Sequence, residues 1–201
     1  MKTVAGLFDD YYEARQAVND LEAAGIPSGD ISIIANNAGD RYSVESSGAA
    51  EGAGVGAGLG AAGGGAVGLL TGLGLMAIPG VGPVVAAGWL ASTAVGAAAG
   101  AITGAAAGGI IGSLTESGID EDDAHLYAEG VRRGGTLVVA RVEEAMVAQA
   151  DAILRNRNAV DITVRRRAYV EEGWRRFDEA SASYTRDQVE RERERFRPRS
   201  L

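Results

Sequence analysis

The chain contains no cysteine, which excludes a disulfide framework, thiol catalysis and cysteine-ligated metal. It has one lysine, Lys2, and one histidine, His125. A Walker-type phosphate loop needs a lysine beside its glycines and cannot be built here. No Ser-His-Asp arrangement stands out either, since the lone histidine has no evident partners. The most telling absence is charge: between Glu51 and Glu116 there is no Asp, Glu, Lys, Arg or His, and this segment holds 20 of the 30 glycines.

Charge is concentrated in the flanks, with uneven sign. From Arg165 onward there are 11 Arg and 8 acids, about +3, so a formal net charge of −8 leaves about −11 for residues 1–164. An acidic body argues against nucleic-acid binding as the main activity, because phosphate recognition rests on a basic face. The opening "MKTVAGLFDDYYEAR" reaches Asp9 and Asp10 before any apolar run of signal-peptide length, so the expectation is no secretory signal and a cytoplasmic chain or one on the cytoplasmic side of a membrane.

Two stretches share an order of elements. "TVAGLF" (3–8) reads as a strand. The helix after it places Tyr11, Ala14, Val18 and Leu21 on one face, with Asp9 or Asp10 as N-cap. Gly25 and Pro27 stop it before the strand "ISIIA" (31–35). Past the glycine-rich segment, "TLVVARV" (136–142), "EEAMVAQADAILRNR" (143–157) and "AVDITV" (159–164) repeat strand, helix, strand. A further helix, 120–134, has Asp120 as N-cap and Arg132 and Arg133 at its negative end. The fold class predicted is α+β: a ferredoxin-like βαββαβ sandwich split by a long Gly/Ala-rich helical hairpin, followed by a charged C-terminal tail. The divisions are 1–45 (first half), 46–117 (hairpin), 118–165 (helix plus second half) and 166–201 (tail, helical or disordered).

The segment 52–115 is too rich in Leu, Val, Ile and Trp for a flexible linker. "GLGAAG" (58–63) matches a dinucleotide fingerprint, but no strand precedes it and no acid follows until Glu116, so that reading fails. Glycine instead recurs every four residues: Gly52, Gly56, Gly60, Gly64, Gly68 and Gly72, then Gly88, Gly96, Gly100, Gly104, Gly108 and Gly112, with Ser92 in the gap. Residues four apart share a helix face, and a stripe without side chains permits close helix packing. "IPGVGP", with Pro79, Gly80, Gly82 and Pro83, must turn. The expectation is two helical arms, about 53–77 and 84–114, each longer than the roughly 20 residues that cross a bilayer. The partners implied are other copies of the chain and a lipid bilayer. Acidic flanks and the weak insertion of Gly and Ala keep open a protein-packed oligomer instead.

"LMAIPGVGPVVAAGWLA" (75–91), "GIDEDDAHLYAEGVRRGGTLVVARV" (118–142) and "VAGLFDDYYEARQAVNDLEAAGIPSGDISII" (4–34) resemble the bacterial general stress protein family. Its members include heat-induced stress proteins and cyanobacterial low-temperature-induced proteins. The resemblance covers about residues 3–165. It implies a stress-responsive protein of undefined biochemical activity, with no catalytic residues to carry over.

The remaining candidates have plainer readings. His125 is a surface or packing histidine, and the acids of "DEDDAHLYAEGV" cap a helix, since the central glycine and terminal Glu of a calcium loop are missing. Asp9, Asp10, Tyr11 and Tyr12 cap a helix or line a ligand pocket with Tyr127. In the tail, Tyr169, Trp174 and Phe177 are placed to dock on the body or a neighbouring subunit. Arg165 to Arg167, Arg175 and Arg176 are candidates for anionic lipid or nucleic acid, though the interleaved acids weaken both readings. No cofactor, metal or catalytic site is expected. The leading function is non-enzymatic self-association in the stress response through the glycine zipper, at a membrane. The alternatives are a ligand- or partner-binding module anchored by the hairpin, a soluble assembly protein, and a small pore.

Overall fold

The computed structural model describes residues 1–38, 74–78, 80–90 and 109–196. Five strands, β1 (Lys2–Phe8), β2 (Ile31–Asn36), β3 (Gly74–Ile78), β4 (Gly82–Ala87) and β5 (Thr136–Val142), form one sheet in the order β1-β5-β2-β4-β3. All neighbours are antiparallel. The described helices are α1 (Tyr11–Ala23), α2 (Ile110–Glu116), α3 (Glu121–Arg132), α4 (Val147–Asn156), α5 (Ile162–Glu171) and α6 (Arg186–Phe196).

Local chemistry sets the helix ends. The Asp10 carboxylate accepts from the Tyr12 and Glu13 N–H groups at 2.7 and 3.2 Å, satisfying two of the unpaired donors that open α1. Ala14, Ala17, Val18 and Leu21 are its buried face. Asp120 caps α3 through the Asp122 N–H at 2.9 Å.

Strand alternation sends side chains to opposite faces. Val4, Phe8, Ile31, Ile33, Val138 and Ala140 pack against α1 and α4, while Leu7, Ile34, Val84, Leu137 and Val139 pack against α2 and α3. The sheet is therefore covered on both faces. Helix α3 is buried from Ala124 to Val131, because Leu126 on its outer side meets Tyr169 and Trp174 of the C-terminal segment. Gly130 permits its close seating on β1: a Cβ there would lie 2.4 Å from Leu7 Cδ2.

Two expectations are corrected. Residues 159–164 are not a strand, so the four-stranded ferredoxin-like sheet is not formed. Asp161 accepts from the Thr163 and Val164 N–H groups at 2.8 and 3.1 Å and starts α5; this capping outweighs the β preference of Ile162, Thr163 and Val164. Only the Val160 N–H, donating to Leu7 O at 2.7 Å, still reaches β1. The helical arms expected over 53–77 and 84–114 are corrected at 74–77 and 84–87, which lie in strands, while 110–114 is helical and residues 53–73 and 91–108 lie outside the described residues. The chain reverses at Gly80 and Val81, with the Val81 N–H on Ile78 O at 3.1 Å and φ of 71° and 98° at Gly80 and Gly82. The turn joins strands because the valines of β4 bury against the sheet's own helices. Among the described residues, no helix is long and apolar enough to cross a membrane.

Candidate functional site

A cleft of about 460 Å³ opens between α2, the start of α3 and the segment 176–179, within the size range of small-molecule sites. Ile111, Ile119 and Phe177 give it apolar walls, and Glu121, His125, Arg176 and Glu179 supply charge and hydrogen-bonding groups. The Thr115 hydroxyl, also on the wall, donates back to the Ile111 and Gly112 carbonyls at 3.1 and 3.0 Å.

Glu121 and His125 stand one helical turn apart on α3, so one face presents both. Arg176 joins them: its Nε donates to His125 Nε2 at 2.6 Å, and its Nη2 pairs with Glu121. An imidazole that accepts at Nε2 carries its proton on Nδ1. Burial first, and then the Arg176 charge, hold the His125 pKa below its ordinary value, against the opposing pull of Glu121 and Asp122. Neutral imidazole is therefore the favoured form.

Glu179 is different. Its carboxylate makes no hydrogen bond or ion pair among the described residues. Burial first, and then neighbouring Asp178, push its pKa up. Its backbone is fixed by the β3–β4 turn, since a Cβ on Gly80 would lie 2.7 Å from Glu179 Cα. Asp178 braces the same loop by accepting from the Ala180 N–H at 2.9 Å and the Ser181 hydroxyl at 3.0 Å.

The rest of the C-terminal segment clasps α3. Arg133 donates to Glu129, Glu172 and Glu192 at 2.6, 2.6 and 3.1 Å and lies 4.0 Å from the Tyr169 ring centroid. Arg165 holds Asp9 through two bonds of 2.9 and 2.6 Å and covers the Phe196 ring. Arg193 binds Gly134 O at 2.6 Å, and Arg166 binds Asp123 at 2.5 Å.

Most sequence-derived site residues lie elsewhere. Gly56, Gly60, Gly64, Gly68, Gly72, Gly96, Gly100, Gly104, Gly108 and Pro79 are outside the described residues. Gly112 is on α2 and lines the cleft. Gly88 is not on a helix: it follows β4 at φ 95°, where a Cβ would meet Ile31 O at 2.2 Å. Gly80, Gly82 and Pro83 form the strand turn and the start of β4. The pocket expected from Asp9, Tyr12 and Tyr127 is not assembled. Asp9 is taken by Arg165, Tyr12 is exposed, and the buried Tyr127 hydroxyl donates to Ala5 O at 3.3 Å. The Glu121–His125 spacing was readable in the sequence, whereas Arg176 and Glu179, more than fifty residues on, carried no signal linking them to it.

Comparison with curated proteins and with solved structures returns no match. A family model does match, over a region that runs from β1 through β2 to the end of β3 and stops short of the cleft. Residues 3–77 match the model of the heat induced stress protein YflT domain, and this supports a general stress protein family.

Proposed function

We propose that the chain is a stress-response protein that acts without catalysis, by associating with other copies of itself through its uncharged glycine-rich segments. The observation that carries this is the run from Gly52 to Thr115, with no ionisable side chain and glycine at nearly every fourth position. Such a run is poorly suited to standing alone in water, since each glycine costs a helix about 1 kcal/mol relative to alanine. Close packing on a matching stripe offsets that cost.

The fold supports this reading in two ways. Both faces of the sheet are already covered by the chain's own helices, so association has to use another surface. Gly74 pairs with Ala86, so the start of β3 and the end of β4 lie at the same end of their hairpin. The matched family is not a known family of enzymes, in keeping with a role in assembly. Packing between copies is the primary event proposed, and any lipid contact accompanies it.

The test is Gly100→Leu with Gly104→Leu in the full chain, followed by light scattering and by flotation with anionic liposomes. Deleting residues 52–115 would remove β3, β4 and α2, so point substitution is the sound perturbation. The wild type is expected to be a defined oligomer and the double variant to fall to one chain. A wild type of single-chain mass, or an unchanged oligomer in the variant, overturns the proposal.

A further inference from the structure

We infer that the cleft between α2, α3 and the segment 176–179 is a binding site for a small alkylammonium ligand, with Glu179 as its charge-reading residue. The inference is independent of the assembly reading.

The charge of the cleft decides the sign of the ligand. Glu121 and Arg176 neutralise one another, and His125 gives up its Nε2 lone pair to Arg176. Among the described residues Glu179 is left as an unmatched, half-buried carboxylate, with Asp178 beside it adding negative potential. A partly desolvated carboxylate is costly without a partner, and a cation removes that cost. An anion would have to displace Glu121 from Arg176 and approach Glu179 as well.

Shape decides the rest. Ile111, Ile119 and Phe177 offer an apolar wall that suits methylene groups. Glu179 Oε1 lies 3.2 Å from the point a Cβ on Gly109 would occupy, so the absence of a side chain there leaves the carboxylate room at the mouth of α2. The loop bearing it packs closely on Gly80 and is braced by the Asp178 hydrogen bonds, which lessens the ordering needed on binding. Among the described residues, no group of three or more potential metal ligands occurs, which favours an organic cation over a metal ion.

The experiment is a titration of the full chain with n-hexylammonium chloride, followed by amide chemical shifts, with hexanoate and n-hexanol as probes of the same length. The expected result is saturable shifts confined to residues 109–119 and 176–180, no saturable shift there from the other two probes, and binding at least tenfold weaker in Glu179→Gln. Equal binding of hexanoate would show that Arg176 reads an anion, and equal binding of hexanol would show that the wall alone selects; either overturns the assignment. Unchanged affinity in Glu179→Gln, or no saturable shifts with hexylammonium, overturns it too. The hexanoate comparison is made on the wild type and so does not depend on the variant's folding.

Discussion

Arg133→Met removes the guanidinium at the centre of the C-terminal clasp while keeping an apolar stem of similar length against Tyr169. Three charge-assisted bonds are lost, to Glu129, Glu172 and Glu192, but the partners do not suffer alike. The Glu172 side chain is 34% exposed and regains water, so its pair contributes at most about 1 kcal/mol. The Glu129 side chain is 0% exposed. It keeps only Arg132, at 2.8 Å to Oε1, and its Oε2 has no partner among the described residues. Breaking a buried pair by removing one member costs about 3–5 kcal/mol, and the surviving Arg132 bond puts the expected loss near the lower end, about 3 kcal/mol. Urea unfolding followed by tryptophan fluorescence measures it, Trp174 lying 5.9 Å from the Tyr169 ring. Glu129→Gln removes the stranded charge, so combining it with Arg133→Met should restore about 1 kcal/mol or more. A loss below about 1 kcal/mol, or no recovery in the double variant, refutes a stranded buried carboxylate as the cause.

Two further outcomes are expected. Gly88→Ala should destabilise by about 2–5 kcal/mol, combining positive-φ strain with overlap on Ile31 O. Gly25→Ala, at the same φ with open space around it, should cost only about 1–2 kcal/mol. Thermal unfolding by circular dichroism compares them, and equal losses would discount the overlap. Stability should also fall between pH 10 and 12. Burial pushes the Tyr169 pKa up to about 12, against the lowering influence of Arg165 and Arg133, so above pH 10 the unfolded chain ionises while the folded chain stays neutral. The contribution is fully present below pH 10 and lost by pH 12, about 3 kcal/mol in all. Burial raises the Tyr127 pKa too, so Tyr169→Phe should lessen the fall in urea midpoints across that window without abolishing it, and an unchanged slope would show that Tyr169 does not contribute.

β1, β2 and β5 were legible as strands from their β-branched runs, although β2 and β5 are buried almost throughout, and α1, α3 and α4 each keep a polar side or a capping residue, such as Asp10 or Asp120. β4 was not, because "GPVVAA" lies inside a glycine- and alanine-rich run, where a short apolar stretch does not by itself distinguish strand from helix. The four-residue glycine spacing then drew Gly88 into a helical stripe, although its positive φ serves a strand end. At 159–164 the misleading signal was β-branched composition, and the correct one was Asp161 followed by two N–H groups within its reach. The cleft was half legible. Glu121 and His125 are one turn apart, but Arg176 and Glu179 arrive through tertiary folding, which local pattern does not encode.

The charge partition carries more information than either signal, once it is read as a relation between two parts of one chain. An excess of about eleven negative charges precedes Arg165, and an excess of about three positive charges follows from it. The structure brings the two together: Arg165 on Asp9, Arg166 on Asp123, Arg176 on Glu121 and Arg193 on the Gly134 carbonyl. Arg165, Arg166 and Arg176, three of the five arginines that invite a reading as lipid contacts, are engaged on the acidic body. Between the ion pairs, Tyr169, Trp174 and Phe196 cover Leu126. Charge positions the segment and apolar burial holds it, because exposed ion pairs alone contribute little. The segment thereby completes the burial of α3 and supplies the outer wall of the cleft. Truncating the chain at Arg165 would therefore expose an apolar helix face and dismantle the cleft in one step.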